Sequence, residues 1–412
     1  MRDAFLLDPT VVFLNHGSYG ACPREVLARH QQWQLDMERN PVEFLGRRSG
    51  VLLAEARARL GEFLGVDGAD LAFVANATTA VNIVVGSLAL QPGDEVLGTD
   101  HEYGACEAAW ERACARAGAT YRRVQIPLPF EPAAFADRLM AQVGPRTKVI
   151  FASHITSATA LIFPVAELCA RARQAGVATL IDGAHAPGQL PLDLAAVGAD
   201  FYTGNCHKWM CAPKGAAFLH VRPERQQDIE ATVVSWGYVA DAMGAANATE
   251  ATEATEAAAA ADTADARSSL RGPTGFDAYT GRSPLERRLQ WQGTRDLAAF
   301  LTVPAAIDFQ ARHGWPALRT RCHAMACDTL HRVLARNRLQ PIAPDAAYGQ
   351  MVPIPVRATD ADALRRQLFG AHRIEVPVTQ HGKHTFVRVS VQAYTTQAEL
   401  DALVAALAAA DA

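Results

Sequence analysis

Two residues of opposite chemistry stand out in the middle of the chain. Asp182 closes the apolar run ATLID at 178–182, and Lys208 follows in DFYTGNCHKWMCAPKGAAFLHV at 200–221, a segment dense in small and polar side chains. A lysine amine condenses with an aldehyde, while a carboxylate keeps a pyridine nitrogen protonated, so that the ring withdraws electrons from a substrate α-carbon. Pyridoxal phosphate needs both groups. The pair therefore predicts that cofactor, with Lys208 as its Schiff-base amine and Asp182 on its ring nitrogen, where a fixed positive charge keeps the carboxylate ionised. Once substrate displaces Lys208 from the aldehyde, the freed amine lies beside the α-carbon and can carry its proton. Taken singly, Asp182 reads as a turn cap and Lys208 as a surface lysine; together, in this context, they read as a site.

An anionic cofactor also needs donors. Asn76-Ala77-Thr78-Thr79 ends an apolar run and opens the helical pattern TTAVNIVVGSLAL, so free backbone N–H groups and the positive helix end face a bound phosphate. Thr78 and Thr79 are also ordinary capping residues, and the two roles are compatible. The segment Asn15-His16-Gly17-Ser18-Tyr19-Gly20 is polar straight after the apolar VVFL and has two glycines suited to a tight path. It lines a substrate entrance or forms a plain turn. Arg47 and Arg48 could meet an acidic substrate tail, though a surface position is the simpler description.

The elements that must hold these residues follow from periodicity. Between residues 20 and 240, helical patterns alternate with short apolar runs, the signature of a parallel sheet with crossover helices. The runs LAFVA at 71–75, DEVLG at 94–98, KVIFAS at 148–153 and ATLID at 178–182 lead into small or polar residues. Ligands of open parallel sheets gather beyond such carboxyl ends. From 240 to 272 the chain turns Ala-rich with an ATE repeat, and is expected as a solvent-exposed insertion without catalytic duty. Beyond 296 come the helical pattern LAAFLTVPAAIDFQARHG, a second at 316–337, a strand MVPIPV at 351–356, a helix at 360–370, a strand TFVRVSV at 385–391 and a helix at 396–410. The expected division is an N-terminal arm at 1–19, a large domain at 20–296 and a smaller α+β domain at 297–412.

The 412 residues are half hydrophobic and a fifth charged, ordinary for a folded chain whose length favours two cores over one. With 39 basic and 43 acidic side chains mixed along it, the chain offers no broad field for a polyanion, and no nucleic-acid partner is expected. No stretch reaches the roughly 20 apolar residues that span a bilayer, and the start lacks an apolar core after a basic flank; a cytoplasmic protein with no membrane partner is expected. Eight cysteines are too sparse for a disulfide scaffold. Cys206 and Cys211, like Cys322 and Cys327, are spaced unlike the short hooks of structural zinc, and only His323 adds a nearby ligand, so no metal site is expected.

The motifs NATTAVN, DGAH, GNCHKW, APKG, GTRD and RVSVQAYTT, in this order, resemble the class V aminotransferase family of fold-type-I pyridoxal-phosphate enzymes. Within it, FLNHGSYGACP, NPVEFLGR at 40–47, VSWGY at 234–238 and WQGTRD at 291–296 resemble the isopenicillin N epimerase-like branch. The likeness covers nearly the whole chain apart from the Ala-rich insertion. It implies an α/β architecture, with a mostly parallel seven-stranded sheet sandwiched by helices in the large domain and the smaller α+β domain at the C-terminal end. It further implies that Asn205 and His207 join Thr78 and Thr79 around the phosphate, and that Thr294 of GTRD completes this site from a second subunit. A shared site means a homodimer. A turn residue after Gly293 is the plain alternative for Thr294.

The same resemblance places His101 or Tyr103 on the cofactor face away from Lys208, and His185 with Ser157 or Thr156 near the ring's phenolic oxygen. Arg388 falls on the substrate α-carboxylate, which a guanidinium fork grips bidentately; an ion pair with a neighbour such as Glu375 is the alternative. Asn15 and His16 fall on the substrate's path. Such a site can epimerise, with Tyr103 or His101 supplying a proton opposite Lys208, and an isopenicillin N epimerase-like reaction is the first expectation. Carbon–sulfur lysis, which the branch also resembles through fungal lyases, cysteine desulfuration and transamination are the alternatives. Desulfuration through a protein persulfide needs a thiol on a mobile loop, whereas Cys322 and Cys327 fall in a helical pattern. A non-catalytic cofactor-binding regulator is the rival from another class, disfavoured because lysine, aspartate and arginine are all present.

Overall fold

A computed structural model describes residues 1–238, 281 and 283–410. The expected insertion at 240–272 lies outside the described residues. After a short strand β1 (Val12–Phe13) in the N-terminal arm come β2 (Leu71–Val74), β3 (Glu95–Thr99), β4 (Thr120–Val124), β5 (Thr147–Ser153), β6 (Ala178–Asp182), β7 (Phe201–Asn205) and β8 (Ala217–Val221). These last seven form one sheet in the order β2-β8-β7-β6-β5-β3-β4. Only β8 runs antiparallel to its neighbours, so the sheet is mostly parallel, as expected.

The runs are continuously apolar because both faces of the sheet are covered. Successive side chains alternate sides: Leu71 and Phe73 enter one core, Ala72 and Val74 the other, and Ile181 and Leu180 divide in the same way. ATLID is β6 residue for residue, and LAFVA, DEVLG and KVIFAS hold β2, β3 and β5 to within one residue at each end. Helices cross between strands, among them Ala77–Ser87 after β2 and Gly104–Ala117 after β3.

The C-terminal part adds β9 (Met351–Val356), β10 (Ile374–Glu375), β11 (Val378–His381) and β12 (His384–Ser390), with an antiparallel sheet ordered β11-β12-β9. The expected helix from 297 divides into Ala298–Leu301 and Val303–Arg312, where Pro304 suits the first turn of the second piece. Trp315–Asn337 and Gln397–Ala410 complete this part.

The N-terminal arm is stitched to this C-terminal part. β1 pairs in parallel with β10, Ser390 N–H donates to Leu14 O at 2.9 Å, and Arg2 forms an ion pair with Glu399. The arm then runs to Gly20, whose φ is +72° and whose missing Cβ would stand 1.9 Å from His207 O. Only glycine lets the arm lie this close to the lysine segment. No helix among the described residues is long and apolar enough to cross a membrane.

Candidate active site

A cavity of about 720 Å³ opens beyond the carboxyl ends of β5, β6 and β7. Its walls bring together Lys208, Asp182, Tyr103, Thr78, Thr79, Ser157, His185, Asn205, His207 and Arg388, ten of the residues singled out by sequence.

Lys208 is half-buried, with its Nζ 3.1 Å from His185 Nε2. The Trp209 indole N–H, a donor only, faces His185 Nδ1 at 3.4 Å. Neutral His185 then carries its proton on Nε2 and donates it to the free-base form of the lysine. Burial, followed by the charges of Lys208 and Arg388, holds the His185 pKa well below its ordinary value, so it stays neutral. Burial first and Arg388 second also draw the amine of Lys208 down to about 8, against the opposing pull of Asp182. The lysine is thereby close to its nucleophilic free base near neutral pH.

Asp182 ends β6, accepts the Ala184 N–H at 2.9 Å, and is pushed above the usual carboxylate range by burial, with the Ala184 bond and Lys208 pulling the other way. A pyridinium placed against it supplies the positive charge that keeps such a carboxylate ionised.

At the start of the Ala77–Ser87 helix, Asn76 is the cap: its Oδ1 accepts the Thr79 N–H at 2.8 Å. Asn205 Oδ1 accepts the Ala77 N–H at 2.9 Å and so pins the end of β7 to this turn. Thr78 and Thr79 are therefore first-turn residues rather than caps. Among the described residues, the Thr78 N–H has no backbone or side-chain acceptor, which fits an anion at the positive helix end. His207 lines the same cavity, with Nδ1 3.2 Å from Ala216 O.

Arg388, on β12, is buried and donates to Ser157 O and Oγ and to Ser18 Oγ, the last two at 3.3 and 3.2 Å. Its Nε finds no partner, and no carboxylate stands within 4 Å of the guanidinium among the described residues. Glu375 takes the Asn15 amide instead. Burial lowers the Arg388 pKa to about 10. Half-buried Lys208 and buried Arg388 are thus two cationic groups in one cavity without an acid in ion-pair range among the described residues, and they fit a phosphorylated aldehyde and a carboxylate substrate.

Several expectations are corrected by the structure. His101 does not reach the cavity: its Nδ1 lies 2.7 Å from Thr159 Oγ1, its Nε2 3.0 Å from Ile126 O, and its ring stacks on His381 at 3.8 Å. Buried hydrogen-bond partners hold the ring away from the site, and Tyr103, 47% exposed, takes the wall alone. Of the arm, Gly17, Ser18 and Tyr19 line the cavity, not Asn15 or His16. His16 is buried between the Tyr394 hydroxyl and Lys208 O, each at 3.0 Å, and Asn15 holds Ser18 and Glu375. They support the lysine segment and the arm from behind. Thr156 bonds to Thr159 and Leu161 N, leaving Ser157 as the lining hydroxyl. Thr294 is exposed in a separate hollow with Gln34, Met37 and Leu45, so its own chain does not bring it to the phosphate. Arg47 is an exposed partner of Glu43.

Asp100, His101 and His381 also gather three ligand-type atoms within 4.8 Å of one another. The two rings stack face to face and both nitrogens of His101 are engaged, so this is a contact between the two parts of the chain. Sequence reasoning reached Ser153 only as a polar strand end and missed Glu102; the two meet at 2.6 Å beside Asp182. A serine and a glutamate carry no pattern of their own; their position after two strand ends was the available signal.

The mostly parallel sheet and the cavity at its strand ends define a fold-type-I pyridoxal-phosphate enzyme. The Aminotransferase class-V family matches residues 12–260, and the chain belongs to that family. It is 40% identical to an isopenicillin N epimerase of Streptomyces clavuligerus, over 98% of this chain and 96% of that one. It is also 33% identical to a putative L-cysteine desulfhydrase of Oryza sativa subsp. japonica, over 76% of this chain and 60% of that one. Among solved structures, the cystine C–S lyase C-DES in complex with cysteine persulfide superposes with a TM-score of 0.76 at 24% identity, over 97% of this chain and 98% of that one. That likeness is one of fold.

Proposed function

We propose that the protein is a pyridoxal-phosphate-dependent epimerase acting at the α-carbon of an amino acid or aminoacyl side chain, as isopenicillin N epimerases do. The observation that carries this reading is one cavity holding Lys208, Arg388 and Tyr103, with neither cationic group given an acid in ion-pair range among the described residues. When bound, the cofactor withdraws electrons from the α-carbon and loosens its proton. Arg388 grips the substrate carboxylate by its fork and fixes which α-bond faces the lysine. The Lys208 amine removes the α-proton on its own side, and the Tyr103 hydroxyl, on the wall of the same cavity, returns one from the other. Asp182 holds the ring nitrogen, and His185 and Ser157 stand near the ring oxygen. Thr78, Thr79, Asn205 and His207 surround the phosphate. Thr294 of a second subunit completes it in a cytoplasmic homodimer.

The test is exchange in heavy water with isopenicillin N and a panel of L-amino acids. Epimerisation predicts deuterium at Cα with loss of optical purity and no keto acid. Release of pyruvate, ammonia and sulfide from cysteine or cystine contradicts it and establishes carbon–sulfur lysis. That second reading is favoured by the identity to the L-cysteine desulfhydrase. In it, Lys208 takes the same proton and Tyr103 assists the departing sulfur. Transfer through a protein persulfide is not supported, because Cys322 and Cys327 are buried in the Trp315–Asn337 helix and neither lines the cavity.

A further inference from the structure

Glu102 is a buried acid with no task in the site so far described. It follows the end of β3 and sits between two hydroxyls: Thr99 Oγ1 donates to its Oε1 at 2.6 Å, and Ser153 Oγ lies 2.6 Å from its Oε2. Ser153 ends β5, pairs in register with Asp182 at the end of β6, and lines the cofactor cavity with it. A single hydroxyl therefore separates Glu102 from the site.

Counting hydrogens decides what that contact does. Thr99 Oγ1 accepts the His101 N–H at 3.1 Å and gives its own hydrogen to Glu102 Oε1. An ionised Glu102 would claim the Ser153 hydrogen as well, turning only lone pairs toward the cavity. A neutral Glu102 instead gives its one O–H from Oε2 to Ser153. The Ser153 hydrogen is then free to face the cavity beside Asp182.

The surroundings favour the neutral form. Burial is the largest push and the charge of Asp182 adds to it; together they outweigh the Ser153 and Thr99 hydrogen bonds and raise the carboxyl to about 8. From the Gly104–Ala117 helix the Cys106 thiol acts in the same field, as does the Tyr121 hydroxyl from β4. Both are kept neutral chiefly by burial.

We propose that Glu102 is a proton-holding positioning residue, whose neutral carboxyl makes Ser153 a donor on the cavity wall and leaves Asp182 the one negative charge where the cofactor's ring nitrogen docks. This rests on the pyridoxal-phosphate assignment and not on which reaction follows.

The test titrates the apo-protein with 4′-deoxypyridoxine 5′-phosphate, which has no aldehyde and cannot bond Lys208, from about pH 6.5 to 9.5. Glu102→Gln copies the neutral acid, because its amide N–H can face Ser153 while its oxygen accepts from Thr99. The variant should bind as wild type does at pH 7, within about twofold. Above pH 8 loss of the Lys208 charge weakens binding in both proteins, and the wild type should weaken more steeply than the variant, by up to about a further tenfold per unit. Tenfold weaker binding by Glu102→Gln at pH 7, or pH profiles that coincide, overturns the proposal. Should that variant not fold, Ser153→Ala carries the test: it must bind more weakly at pH 7 and lose the further alkaline weakening, and a wild-type profile overturns the proposal. If wild type fails to bind the probe at any pH, the cofactor assignment itself falls, and this inference with it.

Discussion

Arg57 and Arg388 are both buried guanidinium groups, and they end in opposite situations. Arg57, in the Ser49–Leu64 helix, reaches Glu286 as an ion pair and Gln290 as a hydrogen bond across to the Pro284–Leu289 helix and the residue that follows it. Among the described residues, Arg388 donates only to the oxygens of Ser157 and Ser18. Burial pulls both pKa values down, but in Arg57 alone an acid pulls back. A buried charge given its counter-ion is a strut between elements; one left without it keeps its strongest interaction for a ligand.

The contrast predicts opposite mutant behaviour. Arg388→Ala should lower kcat/KM for α-carboxylate substrates by about 10²–10³-fold, mostly through KM, with thermal unfolding no earlier than wild type. Glu286→Ala should instead lower stability by about 3–5 kcal/mol, since it strands a buried charge, and leave KM unchanged in the folded fraction. Equal losses of stability in the two variants would erase the distinction.

Tyr103 and His101 make a smaller version of the same contrast. Tyr103→Phe should slow epimerisation by about 10²-fold while deuterium exchange at Cα persists, because Lys208 still removes the proton. His101→Gln should affect thermal unfolding and leave the cofactor's absorption spectrum alone. A spectrum that shifts in the His101 variant and not in the Tyr103 variant would restore the histidine to the site.

The pH dependence sharpens the comparison further. Lys208 falls from 10.5 to about 8 on folding, through burial and then through Arg388. Between those values the unfolded chain holds the proton and the folded chain does not, so this group's contribution to stability rises with pH across that window. Attachment of pyridoxal phosphate to the apo-protein should climb with pH and level off near 8. In Arg388→Ala the inflection should move upward; an unmoved inflection would mean that the two groups do not share a field. Last, Thr294→Ala should weaken cofactor binding about fivefold in the dimer, the scale of one hydrogen bond.

What was legible in the sequence was chemistry at strand ends. Asp182 and the Asn76 turn close apolar runs that both sheet faces bury, so their place in the fold followed from periodicity, whereas Asn205 was placed by the family resemblance. Arg388 was readable through the resemblance of FVRVSVQAYTT to the family, which marks the arginine of that strand. His101 was misplaced because direction after a strand end depends on partners far along the chain, Thr159 and Ile126. Asn15 and His16 were off by a few residues for the same cause: their neighbours are Glu375, Tyr394 and the Lys208 carbonyl. Glu102 was invisible because its meaning lies in the hydroxyls and the acid that surround it.

The most direct test of the central claim is to load the protein with pyridoxal phosphate, reduce it with borohydride and map the labelled peptide. The chain has four lysines: Lys148, Lys208, Lys214 and Lys383. Of the other three, Lys148 lies 3.8 Å from Asp94 and Lys214 donates to Gly20 O at 3.1 Å. Stoichiometric label on Lys208, absent when Lys208→Ala is treated in the same way, is the predicted result. Label on another lysine, or equal label in the variant, contradicts it.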